Sequence, residues 1–486
     1  MILTDILRKQ ILSKMKADNP WWDTGKIFED YASMQKRLYF SLFYPMVKDL
    51  SIRRAIILLG PRRVGKSVML FHTIEKLIQD GVFPSHIVYL SVDTPLYNGI
   101  ALEELFLLAK EAIGESDEKD PYFVFFDEIQ YLKDWEQHLK SLTDTYRHCR
   151  FVASGSAAAA LKKKSNESGA GRFTDFMLPP LTFAEFIHLK GYQDEIQPHC
   201  INWDGANVPA VKAKNMDHFN ELFLEYINFG GYPEVAFSST IQSNPRQYIR
   251  HDIIDKVLLR DLPSLYGIQD VQELNSLFTV IAYRSGQEFS YESLCQESGV
   301  KKETVKRYIE YLEAAFLIRV IHRVDENARR FQRINSFKIY LTNPSLRCAL
   351  FQPLKASDEE MGNMVETTII AQWIQRPGSQ VYYANWKSNR KNGEVDLVGL
   401  NGATQKPQWA VEIKWSDRFF ERPEQLGSLK DFMTNNGLSI ALVTSIIEEG
   451  NKDFSAGKLV FVPSSIYAYT VGKNTFEQQN VNIGMW

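Results

Sequence analysis

Eight residues, Gly60-Pro61-Arg62-Arg63-Val64-Gly65-Lys66-Ser67, separate the apolar run Ala55 to Leu59 from a stretch, Val68 to Ile78, whose apolar residues recur at helical spacing. A short apolar run ending at glycine reads as a buried strand, and the periodic stretch reads as a helix with one face inward. The chain must turn sharply between them, and Gly60 and Gly65 supply backbone angles that other residues resist. Strand, glycine loop and helix together aim backbone N–H groups and the positive end of the helix dipole at one spot, which is an anion site. The octapeptide fits G-x-x-x-x-G-K-[ST]. In that pattern Lys66 offers its cation to the β- and γ-phosphates of a nucleotide, Ser67 ligates Mg2+, and Val68 opens the helix beside them.

Downstream, β-like runs at His86 to Val92, Tyr122 to Phe126 and Arg150 to Ala153 alternate with helical stretches such as Ile100 to Ile113 and Trp135 to Tyr146. Such alternation predicts an α/β layer with a mainly parallel sheet flanked by helices. The aliphatic and aromatic run before Asp127 and Glu128 predicts a central strand that delivers both acids to its carboxyl end, where ligands sit in such sheets. Asp127 there binds Mg2+ through water, and Glu128 orients or deprotonates the attacking water. An ordinary strand-to-helix cap is the alternative for this pair. Ser154, ending the next β run, is placed to sense the γ-phosphate, with a turn or capping serine as the alternative. Arg172 follows a lysine-, serine- and glycine-rich stretch, Lys162 to Gly171, expected to form a mobile loop over the sheet's edge. It is a candidate arginine finger, acting in cis or in trans, against the commoner solvated arginine. Arg62 and Arg63 face solvent or the nucleotide base.

A chain of 486 residues exceeds one hydrophobic core, and 44% hydrophobic with 24% charged residues is the balance of a globular protein. The net charge of −3 excludes a whole-molecule attraction to nucleic acid or anionic lipid, so such binding must use local basic patches. Cys149, Cys200, Cys295 and Cys348 lack the paired spacing of a zinc site or disulfide framework, which suits a reducing cytoplasm. No apolar stretch approaches a membrane span and the N-terminus shows no targeting pattern, so a soluble, cytoplasmic protein without a membrane partner is expected.

Residues 181 to 285 read as largely helical, with a turn at Gly230-Gly231-Tyr232-Pro233 whose glycines permit unusual backbone angles. Ser290 to Leu294, a turn at Gly299, and Lys301 to Leu312 read as helix-turn-helix. Val305, Tyr308, Ile309 and Leu312 form the apolar face of the second helix, while Lys301, Lys302, Lys306 and Arg307 make a basic surface. DNA contact and an ordinary solvated face both remain open there. Arg319, Arg323, Arg329, Arg330 and Arg333 add cations on what would be a wing.

Asn19-Pro20-Trp21-Trp22, the loop Gly60 to Ser67, Phe125-Phe126-Asp127-Glu128, Ser154-Gly155-Ser156, Gly171-Arg172 and Gly230-Gly231-Tyr232-Pro233 together resemble the prokaryotic AAA-type ATPases related to archaeal ATPases. The resemblance covers most of the chain and implies ATP and Mg2+ as cofactors. It also implies a P-loop module preceding helical and winged-helix segments and a nuclease-like C-terminal domain.

Near the C-terminus, Gly393-Glu394-Val395-Asp396-Leu397-Val398 and Val411-Glu412-Ile413-Lys414-Trp415 read as neighbouring strands. Side chains two apart share a face, so Glu412 and Lys414 point together while Val411, Ile413 and Trp415 turn into apolar packing. Asp396 with Glu412 offers oxygen ligands for Mg2+, Lys414 steadies an attacking water or the developing charge, and Glu366, on the helical stretch Met361 to Arg376, is a further candidate ligand. The spacing resembles the PD-(D/E)xK nucleases. A cross-strand ion pair is the alternative.

The expected organisation is therefore a helical extension over 1–45, a P-loop AAA-type ATPase domain over 46–180, a helical lid or linker over 181–285, a winged-helix-like domain over 286–345 and a PD-(D/E)xK nuclease-like domain over 346–486. Two functions fit. One is an ATPase that couples nucleotide state to DNA binding or metal-dependent DNA cleavage. The other is a nucleotide-gated signalling or assembly ATPase whose C-terminal domain is an inactive DNA- or protein-binding module. ATP/ADP and DNA are the expected partners, and a homo-oligomer is compatible with either.

Overall fold

The computed structural model describes residues 4–114, 121–156, 171–203, 206–329, 336–376, 378–387, 392–455 and 457–477. Most of the glycine-rich stretch Lys162 to Gly171, and Arg330 and Arg333, lie outside them. The chain divides into two units, Met1–Pro179 with Ser264–Gly267, and Pro180–Pro263 with Ile268–Trp486.

In the first unit, mainly apolar runs five or six residues long form Ala55–Leu59 (β1), Ile87–Ser91 (β2), Phe123–Asp127 (β3) and Arg150–Gly155 (β4), and the more polar Phe173–Met177 (β5) joins them at the edge. Their order is β2-β3-β4-β1-β5, with every pairing parallel. β1, β3 and β4 are buried along their whole length, as strands covered on both faces must be. Parallel strands bring all their carboxyl ends to one edge. Because β4 lies between β1 and β3, the loops leaving β1 and β3 flank its end, where such sheets receive ligands.

The N-terminal residues belong to this unit. Ile11 and Met15 of the helix Asp5–Asp18 enter its core, and the motif after that helix covers the outer edge of β2. Asn19 acts there as a substitute strand, its Nδ2 donating to Tyr89 O at 2.9 Å and its Oδ1 accepting from Tyr89 N at 2.7 Å. The Trp21 and Trp22 Nε1 groups both donate to Ile87 O, at 2.9 and 2.8 Å. Backbone groups that would invite another strand are thereby satisfied.

The second unit departs from the expected largely helical lid. Ile196–Trp203 (β6) and Ala206–Ala213 (β7) pair as an antiparallel hairpin, because Ile201, Trp203 and Val208 turn one side inward while their neighbours stay wet. Helix Met216–Phe229 follows, then wide π-helical turns over Arg246–Asp255 and Val257–Asp261. Gly230 is right-handed, with φ −76°, so the expected unusual backbone angle is corrected. The two glycines answer crowding: a Cβ on Gly230 would lie 2.1 Å from the Tyr226 ring, and one on Gly231 would lie 2.0 Å from the Asn343 amide.

Beyond helix Val271–Tyr283 come Glu288–Phe289 (β8), helix Tyr291–Ser298, a left-handed Gly299 at φ +76°, helix Lys302–Ala314, Ile318–Val324 (β9) and Phe337–Leu341 (β10). Val305, Tyr308, Ile309 and Leu312 are buried at helical spacing. The remaining strands are Val381–Lys387 (β11), Asn392–Leu400 (β12), Pro407–Glu412 (β13), Ile440–Ser445 (β14), Gly450–Phe454 (β15) and Gly457–Pro463 (β16). Among the described residues they join β8 to β10 in one nine-stranded sheet, ordered β15-β16-β14-β13-β12-β11-β9-β10-β8. Its seam is narrow: β9 meets β11 only through Arg323 with Tyr383 and Val324 with Ala384. Helices Met361–Gln375 and Ser464–Asn474 bury apolar residues in the core on one face, and helix Gly427–Asn436 does so on the other. Among the described residues no helix is long and apolar enough to cross a membrane.

Candidate functional site

The loop leaving β1 is shaped by close approach as much as by flexibility. A Cβ on Gly60 would stand 2.2 Å from Leu178 O, so no larger residue fits, and Gly65, at φ +92°, caps helix Lys66–Gln79. Val64 is fully buried and pins the loop from beneath. Arg37, buried, donates to Val64 O and to Pro179 O, both at 2.9 Å, and so braces the loop against the chain that follows β5. Pro61, Arg62 and Arg63 form the arch, with Arg63 left-handed at φ +65°. Lys66 Nζ donates to Gly60 O at 3.2 Å and Pro61 O at 2.8 Å, and Ser67 and Val68 continue the first turn of the helix. An amine on carbonyls, beside a helix N-terminus, is a seat for phosphate oxygens.

Asp127, buried at the end of β3, is held from three directions. The Tyr89 hydroxyl donates to its Oδ2 at 2.8 Å, the Ser154 hydroxyl donates to its Oδ1, and the Glu128 N–H donates to Oδ1 at 3.1 Å. Burial, together with the Asp127 charge, pushes the Tyr89 hydroxyl above the ordinary tyrosine range, so it remains a donor. Glu128 turns into the left-handed region at φ 55°, swinging its side chain away from the strand, where the Gln130 amide donates to its Oε2. Ser154 is fully buried, and its oxygen also accepts from Glu128 N at 3.1 Å. Near the end of β4, where a γ-phosphate sensor was expected, its proton goes to Asp127, so it braces the acidic pair.

Arg172 does not reach the loop of its own chain. It directly precedes β5, its carbonyl accepts from Ala55 N at the amino end of β1, and its Nε pairs with Asp144 Oδ1 at 2.5 Å. The phosphate loop leaves the other end of β1, roughly 15 Å away at about 3.3 Å per strand residue. The arginine-finger reading in cis is therefore corrected by the direction of a parallel strand.

In the second unit, β12 and β13 pair Leu397 with Val411 and Val398 with Ala410, which brings Asp396 opposite Glu412. Lys414 Nζ lies 2.8 Å from Glu412 Oε1 and 3.2 Å from Asp396 Oδ2, and Ile413 N donates to Asp396 Oδ2 at 2.8 Å. Val411, Ile413 and Trp415 pack into the core as expected. Glu366, expected as a further metal ligand, joins the cluster with one oxygen already engaged. Its Oε1 accepts from Lys338 Nζ at 2.8 Å and from the Tyr340 hydroxyl at 2.5 Å. Lys338 also pairs with Glu394 Oε1 at 2.7 Å and stands 3.9 Å from Asp396 Oδ1.

Burial and the nearby Asp396 charge push the Glu412 carboxyl up to about 7, against the pull of Lys414. Burial also raises Glu366, whereas Lys414 and Lys338 overcome burial to hold Asp396 below the usual carboxylate range. Both lysines stay charged: burial opposes their ammonium forms, and the surrounding carboxylates more than offset it. Among the described residues no three Asp, Glu, His or Cys side chains form a ready-made metal cage. Mg2+ needs less, since it keeps several waters and takes one or two carboxylates. Asp396 and Glu412 meet that requirement, and Glu412 Oε2 is buried with no hydrogen-bond partner.

The helix Lys302–Ala314 presents a less basic surface than its cations suggest. Lys302 pairs with Glu292, and Lys306 with Glu303 at 2.9 Å. On the strand that follows, Arg319 approaches Glu313 at 3.6 Å and Arg323 approaches Glu288 at 3.5 Å. Sequence reasoning missed Arg37, Tyr89, Gln130, Lys338 and Tyr340. Glu394 alone carried a signal, standing two residues from Asp396 and hence on the same strand face.

Residues 52–187 match the family model of an AAA domain, and residues 220–360 match that of a domain of unknown function. An uncharacterized protein of Methanocaldococcus jannaschii, MJ1544, is 23% identical over 396 residues, which is 80% of this chain and 81% of that one. An uncharacterized protein of Haemophilus influenzae is 25% identical over 371 residues, 75% of this chain and 82% of its own. Among solved structures, the Aeropyrum pernix ORC1 protein in complex with DNA covers 68% of this chain and 95% of its own at 11% identity, with a TM-score of 0.31, too low to equate the folds. The AAA match and the parallel sheet beneath the phosphate loop make the first unit a P-loop ATPase domain.

Proposed function

We propose that this chain hydrolyses ATP at the phosphate loop and uses its nucleotide state to control DNA binding and metal-dependent DNA cleavage by the second unit. What carries the reading is that one chain holds two built charged sites. In one, Lys66 and Ser67 share a sheet edge with Asp127 and Glu128. In the other, Asp396, Glu412 and Lys414 lie within ion-pair distance. At the first, Lys66 turns its ammonium to the β- and γ-phosphates, while Ser67 and, through water, Asp127 hold Mg2+, which when bound neutralises phosphate charge. Glu128, steadied by Gln130, takes the proton of the attacking water. At the second, Asp396 and Glu412 hold a divalent ion that supplies Lewis acidity when bound, and Lys414 stabilises charge on the phosphate.

The order helix, short strand, helix, turn, helix and two strands between Val271 and Leu341 supports a winged-helix reading, with Lys301, Lys302, Lys306 and Arg307 toward DNA phosphates. The cytoplasm, where ATP, Mg2+ and DNA occur together, suits this chemistry. A second reading has its own support: Lys338 and Tyr340 engage Glu366, which favours a nucleotide-gated assembly ATPase with an inactive C-terminal module. Supercoiled plasmid incubated with the full chain and Mg2+ or Mn2+, with and without ATP, separates the two. Metal-dependent nicking lost in Asp396→Ala is the expected result. Intact plasmid under every nucleotide condition would hand the cluster to the second reading.

A further inference from the structure

Lys338 is the most deeply buried charged group of the C-terminal cluster, its side chain 3% exposed. It arrives from β10, which β11 and β9 separate from β12 in the sheet order. Carboxylates from the helix Met361–Gln375 and from β12 surround its Nζ: Glu366 at 2.8 Å, Glu394 at 2.7 Å and Asp396 at 3.9 Å. A desolvated ammonium persists only where the fold needs a cation. We infer that Lys338 is the cluster's resident second cation, so that the site accepts one divalent ion and not two; the inference rests on reading Asp396 and Glu412 as metal ligands.

Two counts lead to this. Among the described residues the cluster holds four carboxylates, Glu366, Glu394, Asp396 and Glu412, against two ammonium groups, Lys338 and Lys414, leaving two formal negative charges, the complement of one divalent ion. The second count is of acceptor atoms. Glu366 Oε1 already takes Lys338 and Tyr340, Glu394 Oε1 takes Lys338, and Glu394 Oε2 takes the Asn385 amide at 3.0 Å. That side is nearly full. Across the cluster, Glu412 Oε2 is buried without a partner, and Asp396 Oδ1 has Lys338 at 3.9 Å as its ionic contact. The atoms left for an ion thus lie on Glu412, on Asp396 and on the second oxygen of Glu366. Where two-metal sites clamp both sides of a phosphate, the charge on one side here is covalently part of β10.

Counting ions tests this without reference to cleavage. Mn2+ is titrated into the full chain without nucleotide, free Mn2+ being followed by electron paramagnetic resonance, and ions absent from Asp396→Asn are assigned to the cluster. Wild type should bind one such ion, Lys338→Arg one, and Lys338→Met a second or the same ion at least tenfold more tightly. Two Asp396-dependent ions in wild type would overturn the inference, and that count stands even if Lys338→Met fails to fold. One ion of unchanged affinity in a folded Lys338→Met would overturn it as well. No Asp396-dependent ion in either protein would remove the metal reading itself.

Discussion

At the phosphate loop the chain presents mainly backbone: Gly60 and Gly65 open a turn, a helix N-terminus faces outward, and one lysine rests on the loop's own carbonyls. In the C-terminal cluster it presents side chains, drawn from β10, a helix, β12 and the end of β13, that neutralise one another in burial. The first arrangement keeps its charge available to a ligand at little cost to the fold. In the second the same groups hold strands together, so under the proposed function any ligand site there is coupled to stability. Contiguity explains the difference. Eight successive residues build a site by local geometry, whereas distant residues converge only where packing holds them.

That contrast breaks most visibly at the acids to which the proposed function gives chemistry. Glu128→Gln should lower ATP turnover by roughly 10²-fold or more, the usual contribution of a general base, with nucleotide binding retained. Steady-state hydrolysis and a fluorescent-nucleotide titration measure the two, and equal turnover would dissolve the assignment of Glu128. At the other site, Asp396→Ala leaves Lys414 with one partner fewer and should cost the second unit about 3–5 kcal/mol. Hydrogen exchange of β12 and β13 amides in denaturant reads that loss, and unaltered protection would mean the cluster is not structural.

Acidity sharpens the comparison further. The Glu412 carboxyl rises from an ordinary 4.5 to about 7 on folding, through burial and Asp396 against the pull of Lys414, with Glu394 adding to the rise and Lys338 close by on Asp396. Between those values the folded state holds a proton that the unfolded chain has released, so stability falls as pH rises through the window, by about 3 kcal/mol. Glu412→Gln, measured in chelator, should flatten that decline, and an identical slope in the variant would contradict it. The smallest effect is expected at Arg172→Ala, whose ion pair with Asp144 is exposed and remote from the loop. Turnover within about twofold of wild type is expected; a tenfold loss would indicate that Arg172 reaches nucleotide on another copy.

The loop and Asp127-Glu128 were legible because their chemistry follows from short spacing on elements whose period shows in the sequence. The hairpin of β6 and β7 was missed because Pro198 and Pro209 weaken strand patterning, although Asp204-Gly205 is a hairpin-turn dipeptide. The contact of Ser154 with Asp127 and the distance of Arg172 from the loop were not legible, because neither strand order nor strand direction can be read from residue type. Lys338 looked like any strand lysine.

From the sequence alone come the strand–loop–helix that cradles phosphate, the acidic pair, the helix-turn-helix periodicity and the Asp396, Glu412 and Lys414 set, since each depends on neighbours a few residues apart. Tertiary structure alone decided that Asn19 and two tryptophans close the edge of β2, that Ser154 braces Asp127 and that Lys338 pairs with Glu366. Those pairings join residues from 27 to 70 positions apart. Their partners are chosen by which strands lie side by side, and strand order is settled by burying whole faces, not by any local run of residues.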